Sequence, residues 1–394
     1  ESLTHDLPGP ISWLRCMARL LLLSNGHGED LSGALLGRAL SEQGHDVQAL
    51  PLVGQGNPYR TAGIPLLGRT REYSTGGIGY TSLRGRLTEL MQGQLLHLLE
   101  QLLRLLRQAH RFDLILVVGD VIPVIASWLS RRPAATYLVA YSSHYEGHLR
   151  LPWPCGELLA TRRFLAVFSR DQLTADDLSQ QLRRPVRFLG NPFMDPVLTP
   201  APPLPEATQR IGLLPGSRRP ELEDNLRLLL AVAEQLPVSR KLSLDLALVP
   251  SLRDDALGQL ADSAGWQQNG DRLLHRNGST IYVRRDAFPA LLQSSDLLIC
   301  MAGTAAEQAV GLGRPVLQLP GRGPQFTAAF AEAQRRLLGP TVFCAPGDAG
   351  SPGNLETSAQ LALQLLERCR SDQQLRHQCR QEAERRLGAA GGGR

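Results

Sequence analysis

Four short stretches gather side chains suited to an anionic, hydroxyl-rich ligand. The first is Asn25-Gly26-His27-Gly28-Glu29-Asp30, which follows an apolar run at residues 20–23. A histidine set between glycines at a strand end is open to solvent, and imidazole titrates near neutral pH. His27 can therefore act as a general base. Asp120 ends a second apolar run, residues 114–118, and could orient it; alone, such an aspartate more commonly caps a helix. The second stretch, Leu213-Leu214-Pro215-Gly216-Ser217-Arg218, reads as strand, tight turn and a helix opening near Glu221. Gly216 permits close backbone approach, the helix start offers N–H groups, and Arg218 can fork onto phosphate oxygens. The third, Cys300-Met301-Ala302-Gly303-Thr304-Ala305-Ala306-Glu307-Gln308, places small residues where a ligand would meet a helix start. Glu307 and Gln308 then stand in reach of hydroxyls, or the stretch is a capping turn with solvated polar groups. The fourth, Pro320-Gly321-Arg322-Gly323-Pro324-Gln325-Phe326, offers Gln325 as both donor and acceptor.

Other chemistries fit less well. No G-K-[ST] follows a glycine-rich turn, so this is not a Walker A loop. Ser217 is not in a G-x-S-x-G elbow. His144 and His148 would need a helix to share a metal, and Gly147 and Pro152 mark a loop. An acceptor-binding or surface role suits them better.

The elements that must position these groups follow a βαβ rhythm. A strand at 20–23, a glycine-rich turn, a helix with Leu31, Leu35, Leu36 and Leu40, and a strand at 47–52 imply a parallel sheet. Further strands are expected at 114–118, 137–141, 165–168 and 186–189. Four prolines between Thr199 and Pro205 make a stiff linker. A second series opens at Ile211 and continues at 244–249, 281–283, 297–300 and 316–319. Helices at 358–370 and 372–387 close the chain. Residues 57–80 read as a long loop. Residues 82–110 read as an Arg- and Leu-rich helix, packed on its sheet or docked on an anionic membrane surface.

The division expected is an extension at 1–18, a first domain at 19–198, a linker at 199–209 and a second domain at 210–375. A terminal helix from 376 returns to the first domain and a low-complexity tail ends at 394. The 394 residues suffice for two such domains, and a formal charge of +5 does not suggest a nucleic-acid partner. Lys241 is the only lysine; the arginine bias is a codon preference or a taste for phosphate. Six cysteines without a C-x-x-C point to reduced thiols and a cytoplasmic setting. The longest apolar stretch, 114–129, is broken by Asp120 and Pro123, and no transmembrane helix or signal peptide is expected. Ligands of parallel sheets bind beyond the carboxyl ends of strands, where Asp120 and the glycine-rich turns lie.

These motifs resemble those of the lipid-A-disaccharide synthase-related proteins and, more broadly, of two-domain GT-B glycosyltransferases. Leu213–Arg218 is similar to the synthases' phosphate turn, and Gly303-Thr304-Ala305 to their Gly-Thr-Ala loop. Gly190-Asn191-Pro192 is similar to the interdomain Gly-Asn-Pro of the peptidoglycan N-acetylglucosaminyltransferase, and Asp30 and Gly33 match the synthases' first loop. The resemblance implies a GT-B fold, an α/β architecture of two Rossmann-like parallel-sheet domains facing a central cleft. It implies a nucleotide-diphosphate sugar as substrate, no separate cofactor and no bound metal. The donor would meet Gly216, Ser217, Arg218, Gly303, Thr304, Glu307 and Gln308, with its base near Ala287 and its sugar near Gln325. Gly26, Gly28, Glu29, Asp30, His144 and His148 would serve the acceptor side, with Asn191 at the hinge. An inverting transfer with His27 as base follows, and a lipid acceptor at a membrane surface fits. Two departures stand out. Counting seven residues back from Pro315, where relatives carry a ribose-gripping glutamate, gives Gln308. Gly26-His27 stands where the synthases carry a glutamate. A 2-epimerase of the same fold, or a non-catalytic nucleotide- or lipid-binding protein, is the alternative.

Overall fold

The computed structural model describes residues 17–68, 94–145, 147–217, 219, 221–301, 303–321 and 328–388; of residues 27, 94, 95, 328 and 329 only the backbone is described. Its first sheet joins β1 (Arg19–Ser24), β2 (Asp46–Pro51), β3 (Leu114–Val118), β4 (Ala134–Leu138) and β5 (Phe164–Ser169) in the order β2-β1-β3-β4-β5, all parallel. Around it lie α1 (His27–Glu42), α2 (Asn57–Thr61), α3 (Gln94–Gln108), α4 (Val121–Leu129), α5 (Cys155–Leu159) and α6 (Gln172–Leu182). A parallel sheet is covered on both faces, so its strands read as unbroken apolar runs. Leu20 and Leu22 pack on one face of β1, Leu21 and Leu23 on the other.

A 3-10 turn at Pro192–Met194 and α7 (Asp195–Leu198) lead into the proline-rich segment. The second sheet contains β6 (Gln209–Leu214), β7 (Leu242–Leu248), β8 (Trp266–Asn269), β9 (Arg272–His275), β10 (Thr280–Arg285), β11 (Leu297–Cys300), β12 (Val316–Gln318) and β13 (Val342–Cys344). Its order is β13-β12-β11-β6-β7-β10-β9-β8; β9 runs antiparallel to both β10 and β8, and the other pairs are parallel. The helices are α8 (Glu221–Glu234), α9 (Asp254–Ser263), α10 (Phe288–Ser294), α11 (Thr304–Gly311), α12 (Ala328–Leu338), α13 (Pro352–Ser371) and α14 (Gln373–Arg386).

The strand orders locate the crevices. In the first sheet the chain reverses direction across the sheet between β1 and β3, and in the second between β6 and β11. Crevices open beyond the carboxyl ends of strands at such reversals. One apolar cluster runs without a break from Leu20, Leu22 and Val118 through Phe193 and Met194 to Leu214, Cys300, Val310 and Leu387, so both sheets share a core.

Several elements differ from the sequence pattern. β4 begins at Ala134, not 137, because pairing with β3 and β5 recruits Ala134-Ala135-Thr136, although alanine is a weak strand former. The strand expected at 186–189 is a single bridge from Arg187 to Phe168; Pro185 has no N–H to extend it. The loop expected from 57 opens as α2, with Pro58 in its first turn and Tyr59 fully buried. The β8–β9 hairpin and the β9–β10 turn were signalled by Asn269-Gly270 and Asn277-Gly278, whose glycines both have positive φ. β13 is three residues long, too short for a hydrophobic pattern. The 1–16 extension, the 69–80 part of the expected loop, the 82–93 part of the expected helix and residues 389–394 lie outside the described residues. Among the described residues no helix is long and apolar enough to cross a membrane.

Candidate active site

A cavity of about 430 Å³ opens at the second sheet's reversal, and two residues of the first domain contribute to its lining. The β6 turn lines it with Leu214, Pro215, Gly216 and Ser217, and the start of α11 with Gly303, Thr304, Ala305 and Gln308. The loops after β7 and β10 add Val249, Pro250, Asp286 and Phe288. Gly28 and Leu31 of α1 complete the wall. A Cβ on Gly28 would stand 3.8 Å from the Thr304 hydroxyl, so the starts of α1 and α11 face each other across the site.

Both helix starts carry glycine at the N-cap, Gly26 and Gly303, and neither has a side-chain capping bond. Their first N–H groups and the positive end of each helix dipole are left for a ligand, a setting that favours an anion. Gly303 has φ 84° and ψ −159°, a region open in practice to glycine alone. Its carbonyl accepts from Gln334 Nε2 at 3.2 Å, and Gln334 Oε1 accepts in turn from Gln318 Nε2 at 2.6 Å. This buried amide chain ties α12 and β12 to the α11 loop. Asn225 of α8 anchors the other turn by donating to the Pro215 carbonyl at 2.9 Å; its Oδ1 is buried without a hydrogen-bond partner among the described residues. Gln318, Gln334 and Asn225 carried no motif signal.

The expected site residues divide. Gly28, Gly216, Ser217, Gly303, Thr304 and Gln308 line the cavity, and Ala287 caps α10 between the lining residues Asp286 and Phe288. His27 is the first residue of α1, not part of a loop; its side chain, like all of Arg218 and Gln325, lies outside the described residues. Glu307 is turned away, its carboxylate 3.3 Å from Arg170 of the first domain. Asp30, expected to be open to a ligand, is buried and accepts from Ser24 Oγ at 2.6 Å; Ser24 accepts in turn from Tyr59. A Cβ on Gly33 would collide with the Tyr59 hydroxyl, which accounts for that glycine. Glu29 stands in the first turn of α1, its Cγ near Gly119. His144 and His148 do not line the cavity. The His144 side chain is shielded from solvent 3.8 Å from Asp171, and desolvation lowers its pKa; His148 is exposed and pairs with Asp177 at 2.9 Å. Asn191 is fully buried, its Nδ2 donating to the carbonyls of Arg170 and Leu387, and its Oδ1 accepting from Tyr137. It therefore fastens Leu387, which follows α14, to the first domain.

Asp120 caps α4 through Ile122 N–H and accepts from Asn25 Nδ2 at 3.2 and 3.1 Å. It thus shapes the loop that leads to His27. Burial pushes its carboxyl up to about 6, against the lowering pull of Ile122 N–H and Asn25. A carboxyl with a raised folded pKa holds its proton better in the folded chain, so its contribution is greatest below about pH 4 and is lost as pH rises to about 6. The expected loss is about 2–3 kcal/mol. Denaturant unfolding at pH 4 and pH 7 should show this extra slope in the native chain and not in an Asp120→Asn chain; equal slopes would refute it.

No family profile matches the chain, and no curated protein matches it by sequence. Solved structures do. The chain is similar to CalG4, the calicheamicin glycosyltransferase, at 17% identity over 95% of this chain and 96% of that one, with a TM-score of 0.59. It is similar to the spinosyn rhamnosyltransferase SpnG complexed with thymidine diphosphate, at 17% identity over 93% and 96%, TM-score 0.54. A UDP-GlcNAc 2-epimerase from Neisseria meningitidis bound to UDP-GlcNAc matches at 14% identity over 95% and 96%, TM-score 0.50. The architecture these share with the chain is the GT-B fold, two Rossmann-like domains about a cleft.

Proposed function

We propose that the chain is a glycosyltransferase that moves a sugar from a nucleotide-diphosphate sugar to an acceptor hydroxyl. The observation that carries this reading is the cavity where the uncapped starts of α1 and α11 meet the Pro215–Ser217 turn. A diphosphate satisfies those N–H groups and the helix dipoles together. In this reading Gly216, Ser217, Arg218, Gly303 and Thr304 hold the diphosphate. Phe288 and the Ala287 backbone flank the base, Gln308 meets the ribose, and Gln325 the donor sugar. SpnG with its thymidine diphosphate and the epimerase with UDP-GlcNAc support a nucleotide sugar as the ligand class.

The finer reading is inverting transfer without a bound metal. His27 takes the acceptor proton, and helix N–H groups with Arg218 stabilise the leaving diphosphate. The motif resemblance to lipid-A-disaccharide synthase-related proteins favours a lipid acceptor. Leu96, Leu99, Leu103 and Leu106 support it, since they form an exposed stripe along α3 near the exposed Arg107 and Arg111. The same stripe supports peripheral contact with an anionic membrane.

Thermal unfolding with UDP, TDP, GDP and their sugars tests the donor reading. One nucleotide series should raise the melting temperature, by about 2.7 kcal/mol of added stability at a hundred times Kd. Arg218→Ala should abolish most of that rise. No rise with any nucleotide would overturn the proposal.

A further inference from the structure

We propose that a second cavity, at the opposite end of the second sheet from the donor cavity, takes a sugar phosphate, and that Arg284 couples the two cavities. The second cavity, of about 590 Å³, lies at the amino ends of β6, β7 and β10, whereas the donor cavity lies at their carboxyl ends. One face of these strands is sealed: Ile211, Leu213, Leu244, Leu246, Ile281 and Val283 share a core with α8, α9 and α13. The alternating residues Arg210, Ser243, Asp245, Tyr282 and Arg284 point to the other face. A parallel sheet is ordinarily covered by helices on both faces. Here four of those five residues line an open cavity instead.

The charge on its floor does not balance. Asp245 is fully buried and accepts from Arg210 Nε at 3.0 Å, Arg284 Nε at 2.7 Å and Ser243 Oγ at 2.6 Å. Two guanidiniums therefore share one carboxylate. Arg210 is 5% exposed and donates onward to the Pro205 carbonyl. Arg284 uses Nε on Asp245, and its two Nη groups meet no acceptor among the described residues. It stands 5.2 Å from the centre of the Tyr282 ring, and Arg272 stands 5.3 Å from the same ring. At the rim Asp271 lies 3.8 Å from Arg272, and the exposed Glu206 is matched in number by the exposed Arg240, so the surplus stays with Arg284. A second guanidinium drawn out of water without a counter-ion is costly. One more anion removes that cost, and a guanidinium with both Nη groups unused forks onto phosphate oxygens. The cavity has the size of a small-molecule site, more than inorganic phosphate fills. Ser239, Ser243, Ser279 and Thr280 in its lining suit the hydroxyls of a sugar.

Arg284 lines both cavities. Two anionic ligands would draw on one guanidinium, so each should weaken the other by the same factor. This coupling, unlike the site itself, rests on the nucleotide reading of the donor cavity.

Calorimetric titration of the full chain at pH 7.5 with glucose 6-phosphate, inorganic phosphate and glucose tests the site. The ester should bind, phosphate more weakly, and glucose not measurably. Arg284→Met leaves Asp245 its Arg210 partner and should bind the ester about tenfold or more weakly. Arg272→Met, which lines only the second cavity, should weaken it by a smaller factor. Arg218→Ala, on the donor turn, should bind the ester as the native chain does. Circular dichroism confirms that each variant is folded. No binding by the native chain, or a loss in Arg218→Ala rather than in Arg284→Met, overturns the site. Phosphate as tight as the ester overturns the sugar phosphate as its ligand. The coupling is read by titrating UDP, GDP and ADP with and without glucose 6-phosphate. Affinity for the nucleotide that binds should fall about fivefold and level off as the ester rises, with no fall in Arg284→Met. Unchanged nucleotide affinity overturns the coupling. A fall that grows without limit is competition for one cavity and overturns the second site. A native chain that binds the ester but no nucleotide removes the donor reading and the coupling, and leaves the site standing.

Discussion

The His27→Ala chain is expected to bind nucleotide as the native chain does and to transfer sugar about 10²–10⁴-fold more slowly, the usual worth of a positioned general base. The backbone supports the placement. Residue 27 opens α1 directly after the uncapped Gly26, and the next residue, Gly28, faces Thr304 across the cavity. In the proposed reading, the start of α1 faces a donor held by α11, which is where a base from the first domain would be needed. In the same reading Asp120 would act at one remove, through the Asn25 side chain and the α4 start that its carboxyl group holds. The measurement is turnover and nucleotide affinity in parallel on the purified chain. Unchanged turnover would remove His27 from the chemistry. A weakened nucleotide affinity would make it a binding group instead. Incubation with nucleotide sugar and no acceptor adds the decisive control, because a 2-epimerase would convert the sugar alone.

The placement of these groups was legible in the sequence to the extent that it depends on local pattern. Parallel strands announce themselves as apolar runs, and the turns after β1, β6 and β11 carry the glycines that their geometry needs. Side-chain direction was not legible, because partners far away in the chain decide it. Nothing near Glu307 shows that Arg170, in the other domain, draws it off the cavity. Nothing near Asp30 shows that Tyr59 and Ser24 bury it. Gln308 looked like a weakened ribose ligand in the sequence, and only Phe193 makes it a bridging amide. The missed β8–β9 hairpin is a different case, since its Asn-Gly turn was there to be read.

Arg170→Met should cost about 2–3 kcal/mol of stability, toward the low end for a broken buried pair, because it leaves a half-buried carboxylate without its partner. Arg170 is 4% exposed and follows β5. Its guanidinium donates to the Val139 carbonyl at 3.0 Å and lies 3.3 Å from the Glu307 carboxylate, whose side chain is 16% exposed. Burial alone would lower the Arg170 pKa, but Glu307, Tyr145, Tyr137 and Asp171 outweigh it and hold it above the ordinary value. The charge therefore persists at any working pH, and so does the demand for a partner. Replacing both members, Arg170→Met with Glu307→Leu, removes that demand and should recover most of the loss. The cycle is read from urea unfolding of the four chains, and single effects that simply add would show that the pair is not coupled. Nucleotide affinity gives a second reading. Glu307 sits in the first turn of the helix whose start faces the cavity, so a stranded carboxylate pulls α11 toward solvent and loosens the site. The double variant removes that pull while Gln308 keeps its bond to Phe193. Its affinity should return toward native even though the ion pair is gone, which separates a contact that positions α11 from one that merely adds stability.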